Sequence, residues 1–109
     1  MAIYLTQVAY TSAALASLVA KPQNRSEAIR KPIEKLGGKL IGAWLSFGDY
    51  DVVCITEMPD NVSAAALALA IGAGGSVKSQ KTTPLLSLED GLTALKMAAS
   101  TGYKAVAAK

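Results

Sequence analysis

The sequence predicts an α+β domain of order β-α-β-β-α-β with an added C-terminal helix, a ferredoxin-like arrangement. Three observations predict it. Residues 37–59, GGKLIGAWLSFGDYDVVCITEMP, read as an apolar hairpin turning on Gly48-Asp49. Helical segments with recognisable caps stand on either side of that hairpin, and each is linked to a further extended run. The 109 residues suit one domain with no linker, so residues 1–99 are expected to form a single unit. Residues 100–109 lack a packing pattern and are expected to fray.

The first strand is Ile3–Tyr10, where Ile3, Leu5 and Val8 stand among tyrosines and Thr6. Thr11 or Ser12 can cap a helix carrying Leu15, Leu18 and Val19 on one face, and Lys21-Pro22-Gln23-Asn24 breaks it. Asn24 with Glu27 resembles a capping box for a second segment. That segment buries Ile29, Ile33 and Leu36 and stops at Gly37-Gly38. Pro32 lies inside it. A proline there removes a hydrogen bond and clashes with the carbonyl four residues back, at a cost of about 3 kcal/mol. The expectation is a kink near Ala28 or a helix that begins later than Asn24.

The hairpin strands run from Leu40 to Phe47 and from Tyr50 to Met58. Val52, Val53, Ile55 and Thr56 favour extended backbone. A two-residue loop at Gly48-Asp49 puts glycine where a type II′ turn needs positive φ. Phe47 then faces Tyr50, Leu45 faces Val52, Ala43 faces Cys54 and Ile41 faces Thr56, all on one side of the sheet. Leu40, Gly42, Trp44 and Ser46 share the other side with Asp51, Val53, Ile55 and Glu57. A four-residue loop would leave both sets unchanged. Both sides are largely apolar, whereas a sheet with one wetted face alternates. Helices can cover one side. The other predicts a second copy of the chain, and the alternative is the chain's own C-terminal helix folded across it.

Asp60 caps a helix from Asn61 to about Ala73 that carries no charge, and Gly74-Gly75 ends it. Val77–Thr83 alternates weakly as a fourth strand that Pro84 stops. Ser87 with Asp90 caps a last helix striped by Leu88, Leu92 and Leu95.

Composition excludes several chemistries. No histidine is present, which removes histidine relays, proximal-histidine haem and the ordinary histidine-containing zinc sites. Cys54 is the single cysteine and falls in an apolar strand, where a thiol behaves as a small hydrophobe. Asp49 and Asp51 alternate onto opposite faces, so they do not make a metal site, and neither metal nor cofactor is expected. No apolar stretch reaches the roughly 18–20 residues needed to span a bilayer. MAIYLTQVAY lacks the parts of an export signal, so a cytoplasmic location is expected by default. The net charge is +3, with its bases concentrated between Lys21 and Lys39. They alternate with apolar positions and have no interleaved aromatic residue, which reads as a solvated helix side and not a nucleic-acid surface.

Around Gly48-Asp49-Tyr50, the run LGGKLIGAWLSFGDYDVVCITEMPDN followed by AAALALAIGAGGSVKSQKTTPLL closely resembles the GYD domain family, from about Tyr4 to Leu95. The resemblance implies a dimeric α/β barrel of two ferredoxin-like sheets packed face to face, and it implies no activity. Pro32 and Trp44 depart from the family pattern.

Three functions compete. The first is a homodimer binding a small apolar or aromatic molecule, with Tyr4, Thr6, Trp44 and Tyr50 as candidate lining residues. The second is a cofactor-independent oxygenase or isomerase, with Asp51 as the candidate acid because it shares a hairpin face with Trp44. The third is an assembly protein, in which the 61–73 helix and the leucine stripe build a hexamer or larger ring.

Overall fold

The computed structural model describes residues 1–107. Eight elements follow in order: β1 (Ala2–Tyr10), α1 (Ser12–Ala20), α2 (Ser26–Lys35), β2 (Lys39–Leu45), β3 (Val52–Met58), α3 (Asn61–Ala73), β4 (Val77–Leu85) and α4 (Leu88–Ala99). The strands form one antiparallel sheet in the order β2-β3-β1-β4. This is the ferredoxin-like α+β fold with an extra terminal helix.

Period-two alternation divides the sheet into two unlike faces. Tyr4, Thr6 and Val8 of β1 lie beside Thr56, Cys54 and Val52 of β3, on the face that α2 and α3 cover. Tyr4, Ile33, Leu40, Cys54, Met58, Ala64 and Leu67 are buried there as one cluster, with Ile29, Leu36 and Ile71 packed against it. The expected apolar face of α2 therefore does enter the core. Gly38 lets that helix return tightly to the sheet: a Cβ on it would sit 2.5 Å from Met58 Sδ and 2.7 Å from the Glu57 carbonyl.

The other face is open. Ile3, Leu5 and Gln7 of β1 stand beside Glu57, Ile55 and Val53 of β3 and Leu85, Thr83 and Lys81 of β4. Gly42 and Trp44 of β2 extend it. Its centre is apolar, and among the described residues no helix packs on it. Neither α1 nor α4 buries a single residue. The radius of gyration is 17.5 Å, against roughly 13 Å for a compact domain of this length.

The structure corrects four local expectations. A bulge between Leu40 and Gly42 puts Leu40 opposite Thr56, where Ile41 was expected. The bulge turns Leu40 into the core, 5% exposed, and turns Ile41 outward. The ladder stops at Leu45–Val52, and Ser46 N–H donates to the Asp51 carbonyl (2.8 Å), enclosing the four-residue loop Phe47–Tyr50 in place of a two-residue turn. Gly48 keeps the expected positive φ, at +124°. Asn24 makes no capping box; its Oδ1 accepts from Ser26 N–H, and α2 starts at Ser26, later than Asn24, and runs through Pro32. Finally, Pro84 lies within β4, because an edge strand paired only with β1 can do without one amide.

The other helix starts stand as read from the sequence. Thr11, Asp60 and Ser87 each accept an amide of the first turn, from Ala14, Ser63 and Asp90 respectively. Ser100 and Thr101 bond back to the Met97 and Ala98 carbonyls, and no regular element follows up to residue 107. The rest of the expected frayed tail, residues 108–109, lies outside the described residues.

Candidate functional site

Alternation along β1 aims Tyr4 and Thr6 at the helix-covered face, and the register places Thr56 beside Tyr4 and Thr82 beside Thr6. Across from them runs α3, presenting Ala64, Leu67, Ala68 and Ile71. Two alanines in that wall let the helix pack close against the sheet. Between sheet and helix the packing leaves only gaps too narrow to seat a water molecule.

The position of α3 over this crevice is fixed by polar ties. Asp60 and Ser63 form a reciprocal capping box at its start. In the first turn the Tyr4 hydroxyl donates to Asn61 Oδ1. Farther along, Gln80 Nε2 donates to the Ala68 carbonyl (2.8 Å). Two buried acceptors in this region lack partners: Thr56 Oγ1 and Gln80 Oε1. Thr56 is 1% exposed and lines the crevice. A buried hydroxyl without a partner costs stability, so one at the wall of a gap marks a place where a ligand's polar atom would be welcome. The neighbouring Cys54 is fully buried, and burial pushes its thiol up despite a hydrogen bond with Thr6 that acts the other way. It is an inert core residue.

Asp51 sits at the other end of β1, and backbone contacts engage its N–H, its carbonyl and one of its carboxylate oxygens. Its N–H donates to the Val8 carbonyl (2.8 Å), its carbonyl accepts from Ser46, and its Oδ2 accepts the Tyr10 N–H (2.8 Å). The Ser46 hydroxyl donates to the Tyr50 carbonyl (2.9 Å). The Gly48-Asp49-Tyr50 motif is thus the tip of a loop lashed to the end of β1. Tyr50 is half-buried within it, and Phe47 is 96% exposed. Trp44 lies on the open face, its ring over Gly42, where a Cβ would come within 2.7 Å of the indole.

Of the candidate lining residues, then, the fold gathers Tyr4 and Thr6 and places Trp44 and Tyr50 elsewhere. It adds Thr56, Thr82 and Asn61, which sequence reasoning did not single out. The available signal was a threonine at an inward position of two strands, Thr6 and Thr56, in an otherwise apolar alternation. Among the described residues no group of acids and cysteine is placed to hold a metal ion. On α2, Arg30 pairs with Glu27 at 3.2 Å. No helix among the described residues is long and apolar enough to cross a membrane.

None of the curated proteins matches the chain. Among solved structures it is similar to an uncharacterized NIPSNAP domain protein from Burkholderia xenovorans, with a TM-score of 0.47 and 16% identity. That likeness covers 80% of this chain and 94% of the other. The profile of the GYD domain matches residues 4–95, from β1 into α4. A match over that much of the chain, on a fold whose signature tripeptide tips the β2–β3 loop, makes the protein a member of the GYD domain family.

Proposed function

We propose that the chain works as a homodimer in the cytoplasm and holds a small, mainly apolar molecule in the crevice between its sheet and α3. The observation that carries the ligand is Thr56 Oγ1, buried and unpartnered at the crevice wall. A guest with an apolar body and one hydrogen-bonding atom would satisfy that oxygen, in space that opens only when α3 moves off the sheet. Entry requires α3 to lift, against the Tyr4–Asn61 and Gln80–Ala68 bonds.

The dimer is supported by area. The chain exposes 7930 Å², whereas a compact monomer of its mass exposes roughly 5,700 Å². An excess of about 2,200 Å² per copy, part of it from the extended tail, is more than a standard interface uses on each side. The open apolar sheet face is the natural place to lose it.

Native mass spectrometry of gently purified protein tests the ligand. Wild type should carry a small bound mass that Ala64→Phe, whose ring takes the space α3 must open for a guest, does not retain. Bare chains in both preparations, with no bound mass at any dissociation energy, would remove the ligand from this reading. The assembly reading gains from the narrowness of the gaps and the uncovered leucines of α1 and α4. The catalytic reading loses its proton carrier if Asp51 serves only as the acceptor for Tyr10, and Asp51→Asn, which keeps an acceptor oxygen, should then leave any turnover unchanged.

A further inference from the structure

We propose that α4 pairs antiparallel with α4 of a second copy, through a leucine seam flanked by two symmetric ion pairs. This is independent of the crevice and needs no particular packing of the sheets.

The starting point is a helix without support. It leaves the β4 edge through Leu86-Ser87 and runs twelve residues, none of them buried. A helix of that length is marginal in water on its own, because most helical stability in proteins comes from packing an apolar face. Its apolar face is present and bare: Leu88, Leu92 and Leu95 are 92%, 53% and 70% exposed. Leu88 and Leu95 stand one heptad apart, and Ala99 stands one heptad beyond Leu92. That is the alternate spacing of a coiled-coil seam.

The charges choose the partner and its direction. Glu89 and Lys96 lie one heptad apart on the same flank of the seam, each following a leucine. If a second α4 runs antiparallel with Leu92 against the partner's Leu95, Glu89 comes beside the partner's Lys96. The two-fold axis repeats this contact at the other end. A parallel arrangement brings neither acid to a base. The opposite flank carries only Gly91 and Ala98, so the two backbones can approach closely. A seam, a flank of small residues and a charge pair that all become complementary under one two-fold rotation specify a second copy of this helix. The chain's own sheet would leave Glu89 and Lys96 unused.

Charge reversal tests it on the full chain. Sedimentation velocity is run at low salt on wild type, Glu89→Lys, Lys96→Glu, their equimolar mixture and the double variant. Each single variant places like charges together twice and should weaken association about tenfold. The mixture and the double variant re-create opposite pairs and should return to the wild-type constant. Both sites are exposed, and far-UV circular dichroism checks that the fold persists. Leu5→Asp, on the open sheet face, is measured alongside. Association unchanged in both single variants, or still weak in the mixture, overturns the α4 pair. Should Leu5→Asp alone dissociate the protein, the sheet dimer survives and the α4 pair falls. Should the charge pattern hold while Leu5→Asp is silent, the reverse is true. A wild type that is monomeric at every concentration overturns both.

Discussion

Thr56 buries a hydroxyl that finds no partner among the described residues, next to a tyrosine whose hydroxyl has one. Replacing it with valine, of nearly the same shape, should stabilise the empty protein by about 1 kcal/mol in urea unfolding, since the unpaired oxygen goes and no cavity forms. The same variant should hold any crevice ligand less well. Gly38 has the opposite character. Gly38→Ala should cost about 1–3 kcal/mol, because the new methyl meets Met58 and the rigid Glu57 carbonyl at once. Cys54 supplies a pH dependence. Burial raises its thiol, so the folded chain keeps a proton that the unfolded chain gives up near pH 9.0. Its contribution is complete below that range and is lost as pH rises through it towards the raised value. A Cys54→Val protein should lack this part of the alkaline decline in unfolding free energy. At this scale the sequence was legible wherever alternation decides orientation, as for Tyr4, Thr6 and Cys54. The orphaned state of Thr56 was not, because it depends on where α3 comes to rest.

Elements were read well where a side chain closes its own local hydrogen bond. The caps Thr11, Asp60 and Ser87 are such cases. Asp60 has its carboxyl held below the ordinary range by the Ser63 amide first and the Ser63 hydroxyl second. The sign follows: the cap acts fully above the ordinary carboxylate range and fades as pH falls through the lowered value. Asp60→Ala should therefore lower the thermal midpoint at neutral pH, and the gap from wild type should close in acid. The β2–β3 register was legible from Leu45 to Gly42 and failed at Ile41. A regular ladder would have pointed Leu40 at the open face, and burial against α2 and Ile33 outweighed the regular ladder. The end of β4 was missed for a similar reason. Pro84 stops a central strand, and only the strand order reveals that β4 is an edge.

For the whole molecule, the informative quantity is the surface left uncovered. Apolar residues on both sides of the hairpin predicted an unpaired face, and the fold leaves Leu5, Ile55, Val53 and Trp44 there without a helix above them. Leu5→Asp should break the sheet-to-sheet contact, lowering the mass read by light scattering to that of the α4 pair, while its far-UV spectrum stays unchanged. Less legible was the isolation of α1. Its Leu15 and Val19 look like a core face in the sequence, yet the helix stands off the sheet with Val19 exposed. Hydropathy identifies a face that wants cover and says nothing of which chain provides it. Trp44 carries that point into the laboratory. It is the sole tryptophan of the chain, and its indole stands 56% exposed on the unroofed side of the sheet. Dilution of a sheet-packed dimer would rewet that ring and red-shift its emission, so ultraviolet fluorescence reads the quaternary equilibrium with no dye attached.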